Sequence, residues 1–287
     1  MSDAVRYRTI TRKRLLGLTE SDQEEALRQI YSHNLERLDA AIDFCAAQGL
    51  KLYRLSSALF PFSDEPVGAL TLTGLADRMR AVGERAVRLG IRMVLHPDQF
   101  VVLSSDSPKV VENSVKILRA HARALDLLWL PRSPWTCMEL HGGKGDRAAR
   151  LVDVIGDLPE AIRSRIVLEN DERAYGAEEI LAVCRAAAVP MVFDAHHHVC
   201  REKLDSYDHP SVARFLEEAR ATWPVPEWQL VHISNGKEFF NDPRHSDLIT
   251  AMPSSYLESP HALWIEVEAK AKEVAIDKLR AEWLAGR

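Results

Sequence analysis

Short apolar runs that stop at a histidine or an acidic residue recur along this chain, and no other feature restricts its fold as tightly. In the stretch Val192 to Cys200, V-F-D-A-H-H-H-V-C, a run begun at Val189 climbs through Phe193 to Asp194 and then meets His196, His197 and His198. Comparable runs are Arg92-Met-Val-Leu-His96-Pro97, Cys137-Met-Glu-Leu-His141-Gly-Gly, Arg165-Ile-Val-Leu-Glu169-Asn-Asp171, Leu230-Val-His232-Ile-Ser and Trp264-Ile-Glu-Val-Glu268-Ala-Lys270. Brief runs rich in β-branched residues and bounded by turn signals suit buried strands. A parallel barrel delivers the C-terminal end of every strand to one face, where catalytic residues come from several strands. The pattern therefore predicts that histidines and acids far apart in sequence meet in one place.

The segments between the runs follow helical period. Over residues 20 to 48 the apolar positions Ala26, Ile30, Leu35, Leu38, Ile42 and Cys45 form one face, and Gly49 closes the helix. A second helix runs from Thr73 to Leu89-Gly90, and a third starts near Ser107-Pro108 with proline at its first position. Helices at 147 to 163, 176 to 187, 210 to 221 and 270 to 285 continue the alternation. The strands fall at 51 to 57, 92 to 96, 136 to 141, 165 to 169, 190 to 194, 229 to 233 and 263 to 268. Strand, helix and strand joined by short links are the grammar of βαβ units. The fold class expected is α/β, a (β/α)8 TIM barrel, with its remaining strand at Val5 to Ile10. At 287 residues the chain is expected to form a single domain over 1–287, since such barrels typically need about 250.

Composition removes several function classes. Hydrophobic residues at 46% and charged residues at 28% are ordinary globular usage, against disorder. No apolar run is long enough to span a membrane and no signal-peptide pattern opens the chain, so a soluble, cytoplasmic protein is expected. Cys45, Cys137, Cys184 and Cys200 show no C-x-x-C spacing and are expected to be reduced thiols. A net charge of −5 argues against a surface that coats nucleic acid broadly. It leaves room for a local site, because bound divalent ions are often the largest charges in one.

Within a strand only every second residue faces the same way. That pairs Glu139 with His141 and Glu266 with Glu268, the later member nearer the strand's end. His141 and Glu268 are thus candidate ligands, while Glu139, Glu266 and Arg54 are expected to lie deeper as charges that pair with one another. At Asp194 the pattern divides: strict alternation adds His196 and His198 to its face, whereas a strand that ends there lets the loop turn His197 back. Asp and neutral imidazole suit zinc, manganese or iron rather than a thiolate site. No G-x-S-x-G, Walker A or dinucleotide glycine motif is present, so no nucleotide cofactor is expected.

Taken together, Tyr53-Arg-Leu-Ser-Ser-Ala-Leu-Phe-Pro61, His96-Pro-Asp-Gln-Phe100, Leu140-His-Gly-Gly143, Leu168-Glu-Asn-Asp171, Asp194-Ala-His-His197, Val231-His-Ile-Ser234, His245-Ser-Asp247 and Val267-Glu-Ala-Lys270 resemble the UV damage endonuclease family. The resemblance runs from about Tyr7 onward and keeps the motif order. It implies an endonuclease IV-like barrel that cuts damaged double-stranded DNA immediately 5′ to ultraviolet photoproducts without ATP. It further implies about two or three divalent ions, manganese in most members. Matching motifs gives His96, His141, Glu169, Asp194, His197, His232, His245 and Glu268 as ligands, with Glu169, Glu268 and His232 central to catalysis. By the same resemblance Gln99 and Phe100 enter the duplex at the lesion, and Ser56, Ser57 and Asn170 lie at the DNA. Lys144, Lys237 and Lys270, near strand ends, are candidate phosphate contacts as well as ordinary solvated lysines. The chain departs from the family at Ala4-Val-Arg-Tyr7, where members often read Leu-Gly-Tyr, and at Leu230, where some carry a lysine that can be carboxylated. A mechanism that needs that lysine does not transfer.

Two competing readings share these residues. A sugar isomerase on the same barrel holds metals with Glu, Asp and His, and fold alone does not separate it. A damage-binding protein with a structural metal cluster is the non-enzymatic alternative, favoured if the ligands saturate the ions, and the endonuclease itself is expected to be a monomer.

Overall fold

A computed structural model describes residues 6–284 of the chain. Its strands are β1 (Leu52–Leu55), β2 (Arg92–Leu95), β3 (Met138–His141), β4 (Ile166–Glu169), β5 (Met191–Asp194), β6 (Leu230–Ile233) and β7 (Trp264–Val267). They form one 7-stranded sheet in sequence order, and helices occupy the connections. Strands this short, most of them buried along their length, need helices over them to stay dry. Among the described residues no helix is long and apolar enough to cross a membrane.

Tertiary contacts divide the chain into two compact units. The first comprises Met1–Val101, Pro108–Met138 and Leu158–Arg165. In it β1 and β2 run parallel, Leu52 opposite Arg92 through Leu55 opposite Leu95. The helix Glu20–Ala47 begins at Thr19, whose hydroxyl accepts the Asp22 N–H at 3.2 Å, and ends before Gly49 at a φ of 64°. Its buried face is Leu27, Tyr31, Asn34, Leu35, Leu38, Ala41, Ile42 and Cys45, so Ala26 and Ile30 lie at its margin. The helix Ala76–Arg88 sits so close to Leu128 that a Cβ at Gly83 would fall 1.7 Å from the Leu128 carbonyl oxygen. Arg165, expected to open a strand, directly precedes β4 and its carbonyl accepts the Met138 N–H at 2.7 Å, while its buried guanidinium is held by Asp126 at 2.8 Å and by the carbonyls of Leu130, Pro131, Ala122 and Ala161.

The second unit comprises Val102–Ser107, Glu139–Asp157 and Ile166–Arg287. Its register is what matters for chemistry. Asp194 of β5 stands opposite His232 of β6, and His232 opposite Glu266 of β7. Glu169 of β4 pairs with Val192, two residues before Asp194, so Glu169 and Asp194 share a face at adjacent levels.

Three expectations are corrected here. Of the proposed first strand, Val5 lies outside the described residues, and 6 to 10 form no strand. Asn34 occupies both backbone groups of Arg8, accepting its N–H at 2.7 Å and donating to its carbonyl at 2.9 Å. A neighbouring strand would need those same groups. The single helix expected over 147 to 163 is two, Ala148–Gly156 and Glu160–Arg163, because Pro159 has no N–H with which to continue. Arg54 is exposed rather than a deep charge.

Candidate metal centre

His141, Glu169 and Asp194 are the last residues of β3, β4 and β5; Glu268 follows β7 directly, and His232 is the penultimate residue of β6. Every one of these side chains therefore stands where an apolar strand leaves the core. The 3.3 Å rise per strand residue keeps such ends in step only when the register is fixed, and the buried apolar residues beneath them fix it.

The junction after β5 resolves the histidine run. Asp194 is the N-cap of the helix Ala195–Glu202, its Oδ1 accepting the His197 N–H at 2.7 Å. That cap turns the chain into a helix at once, and each histidine takes a separate direction. His196 is buried, donating from Nε2 to the Asp242 carbonyl at 2.9 Å while Nδ1 meets the Tyr207 hydroxyl at 2.7 Å. His198 packs against Phe193 and Phe215 and bonds Ser211 at 2.8 Å. His197 alone returns to the strand ends, Nε2 lying 3.6 Å from Glu169 Oε1 and 3.9 Å from Asp194 Oδ2.

Around that point the donors converge. His141 Nε2 is 3.8 Å from Glu169 Oε2. His232 Nδ1 is 3.0 Å from Glu169 Oε1, 4.0 Å from Asp194 Oδ2 and 3.9 Å from Glu268 Oε1. His245 Nδ1 is 3.7 Å from Glu268 Oε2. Two donors each about 2.1 Å from one ion are themselves about 3 to 4 Å apart, so these separations are compatible with shared coordination, although His232 and Glu169 are also directly hydrogen-bonded at 3.0 Å. The sets Glu169–Asp194–His197, Asp194–His232–Glu268 and His197–His245–Glu268 each keep their donor atoms within 4.8 Å of one another. Asp194 Oδ2 is buried and accepts no hydrogen bond, a cost that a bound cation removes. Oxygen and imidazole donors without thiolate fit a divalent ion such as manganese or zinc. Cys200 does not join them: its thiol donates to the Asn241 carbonyl at 3.3 Å, and burial pushes it up to about 12.

The electrostatics say the same thing. Burial alone pulls the imidazole of His197 down, yet the charges of Asp194, Glu172 and Glu169 override it and push His197 up to about 10. For His232, burial is likewise outweighed by Glu169, Glu266 and Glu139, and its value is raised well above the ordinary one. Buried carboxylates in this number demand positive charge. Protons on imidazole supply it in the absence of an ion and must leave when one binds.

Residue patterns gave no sign of the groups that aim these imidazoles. Glu172, in the loop after β4, places Oε2 2.8 Å from His197 Nδ1, which directs Nε2 at Glu169 and Asp194. That partnership holds the Glu172 carboxyl down at about 2. Glu139 was expected to pair with other deep charges; it is fully buried with Oε2 2.8 Å from His232 Nε2, leaving Nδ1 toward Glu169. Histidine ligands commonly donate their second nitrogen to a carboxylate in this way.

The remaining candidates divide. Asn170, expected at the DNA, is buried, and its amide spans the Asp194 backbone, donating to the carbonyl at 2.9 Å and accepting the N–H at 2.9 Å. Lys144 pairs with Asp106, which also takes Arg147 at 2.7 Å, whereas Lys237 and Lys270 are exposed. In the first unit His96 follows β2, half-buried, with Nδ1 3.0 Å from the Pro97 carbonyl. Beyond it a tight turn closes from the Val101 N–H to the Asp98 carbonyl at 2.9 Å, putting Gln99 and Phe100 at its tip with Phe100 62% exposed. Ser57 donates to Asp98 at 2.8 Å, and Ser56 Oγ accepts the Ala58 N–H at 3.2 Å.

The model of the family described as UV-endonuclease UvdE matches residues 1–285. The chain belongs to the UV-endonuclease UvdE family. A UV DNA damage endonuclease of Nostoc sp. is 58% identical over 285 residues, covering 99% of this chain and 88% of the relative. Among solved structures, SacUVDE aligns with a TM-score of 0.79 at 23% identity, covering 96% of this chain and 92% of that one. Endonuclease IV from Thermus thermophilus aligns at 0.62 and 17%, covering 87% of this chain and 95% of that one. The fold of this UvdE-family chain is accordingly that of the endonuclease IV-like TIM barrels.

Proposed function

We propose that this UvdE-family protein is a metal-dependent, ATP-independent DNA-repair endonuclease. It cuts duplex DNA immediately 5′ to pyrimidine dimers and 6-4 products, with abasic sites as a second substrate class, and acts inside the cell as a monomer. One observation carries the reading: within the second unit, three donor sets overlap at Asp194, His197 and Glu268 and take in Glu169, His232 and His245. Overlap of that kind suits adjacent ions joined by carboxylates, about two or three of them, manganese by the family's preference. Family membership favours a nuclease over a sugar isomerase built on the same fold.

Divalent ions held by these ligands would supply a nucleophile at neutral pH and charge compensation at the scissile phosphate. The protein's own residues set the stage for it. Glu169 would hold an ion together with Asp194 and His197, and a carboxylate, unlike an imidazole, has two oxygens to offer. Glu172 and Glu139 hold His197 and His232 with one nitrogen turned toward the cluster. His96 joins the ligands on the strength of its motif. Gln99 and Phe100 form the tip that parts the damaged base step, as apolar wedges do elsewhere, and Lys237 and Lys270 meet phosphates.

The test is a nicking assay on irradiated and unirradiated duplexes with manganese or chelator. Cutting confined to irradiated DNA with manganese, and lost in Glu169→Ala that still melts cooperatively, is the expected result. Full cutting by metal-stripped Glu169→Ala, or none by the wild type with manganese, overturns the proposal.

A further inference from the structure

We propose that Phe239 is a second aromatic contact to duplex DNA, carried on a stiff loop rooted in the metal centre. The inference rests on the nuclease reading above. The loop leaves β6 at Ser234 and returns at His245, a candidate ligand; Gly236 and His245 form an antiparallel bridge, and the Lys237 N–H donates to the Arg244 carbonyl at 2.8 Å. Its foot is thus fixed beside Glu268 and His197.

Inside the loop, Asp242 is a buried staple. Its carboxylate accepts the Glu238 N–H at 3.1 Å and the Arg244 N–H at 3.0 Å, and holds the Arg244 guanidinium at 2.7 Å. Its carbonyl accepts from His196 at 2.9 Å, and the neighbouring Asn241 carbonyl accepts from Cys200. Phe240 turns inward onto Tyr207, ring centroids 4.8 Å apart. Gly236 permits the tight path, because a Cβ there would lie 2.0 Å from the Phe239 carbonyl oxygen.

Against this frame Phe239 is 57% exposed. The loop spends buried hydrogen bonds on holding its shape and leaves a large apolar ring in water, where burial would have stabilised the fold. A ring held out on a rigid base loses little freedom on binding. The occupant that fits is the substrate duplex: the loop begins at the strand ends that carry the cluster, Lys237 near the ring is exposed and cationic while the charge of Glu238 is met by Arg244 at 3.0 Å, and an aromatic ring stacks on a base bared at a parted step.

The experiment compares wild type, Phe239→Ala, Phe239→Tyr and Phe239→Leu on a duplex carrying a single thymine dimer and on its undamaged counterpart. Manganese-dependent incision gives kcat and KM; fluorescence anisotropy in chelator gives Kd; a melt checks folding. Phe239→Ala should raise KM and Kd about tenfold, with kcat within about twofold and an unchanged melt. Tyrosine should restore affinity, and leucine, which is apolar but has no ring, should not. Affinity of Phe239→Ala within twofold of wild type, or full rescue by leucine, overturns the role of Phe239 while wild-type cutting stands. Wild type that neither binds nor cuts either duplex overturns the nuclease reading itself.

Discussion

Glu172→Gln isolates what a carboxylate behind a ligand contributes. The amide keeps the size of the side chain beside His197 Nδ1, 2.8 Å from the present carboxylate, but it removes one of the charges that push His197 up to about 10. His197 is 8% exposed and Glu172 largely covered, so water screens the pair little. Loss of such an outer partner typically weakens metal affinity about 10- to 100-fold, or about 1.4 to 2.7 kcal/mol. Manganese titration followed by the paramagnetic signal of free ion measures it directly. In the metal-free protein, NMR of labelled histidine should show His197 titrating at lower pH in Glu172→Gln than in wild type, because a neighbouring negative charge has gone. Glu172→Ala should bind manganese more weakly still, since His197 then has no second anchor. If both variants bind manganese within twofold of wild type while His197→Ala does not, Glu172 does not position His197 and the reasoning fails.

Other expectations follow from the same contacts. In metal-stripped protein, the raised His197 contributes stability that is complete below about pH 6.5 and lost as pH climbs toward 10. The depressed Glu172 contributes stability present above about pH 4.5 and lost as pH falls toward 2. The melting temperature of the stripped protein should therefore peak between those limits; a steady rise from pH 6.5 to 9 would contradict the pairing. Saturating manganese should reverse the alkaline decline, because binding displaces protons. Gln99→Ala with Phe100→Ala should slow lesion-dependent incision while leaving the melt unchanged, as Phe100 is 62% exposed; equal cutting by the double variant removes the wedge. Asn170→Ala leaves the buried Asp194 N–H and carbonyl without their partner, at about 1–3 kcal/mol each in urea unfolding, and loss of less than about 1 kcal/mol in total would deny the clamp.

What the residue pattern determined on its own was local. Apolar runs with a polar last residue place strand ends whatever surrounds them, and Glu169, Asp194, His141 and Glu268 stand within a residue of where β4, β5, β3 and β7 stop. Helix starts were legible at Pro108 and Pro210, whereas the short helices Arg12–Leu16, capped by Thr11, and Pro66–Thr73, opened by proline, were missed. The same rules could not choose among His196, His197 and His198, because Asp194 ends a strand and caps a helix at once, and the period changes from two to 3.6 at that residue. Nor could they supply partners. Glu139 meets His232 across 93 positions of sequence, Arg8 spends its backbone on Asn34 rather than on a strand, and Asn170 turns from solvent to clamp Asp194. Period and capping are set by covalent neighbours and survive in any fold. Which charge faces which imidazole depends on strand register and on loops that only the packed chain brings together.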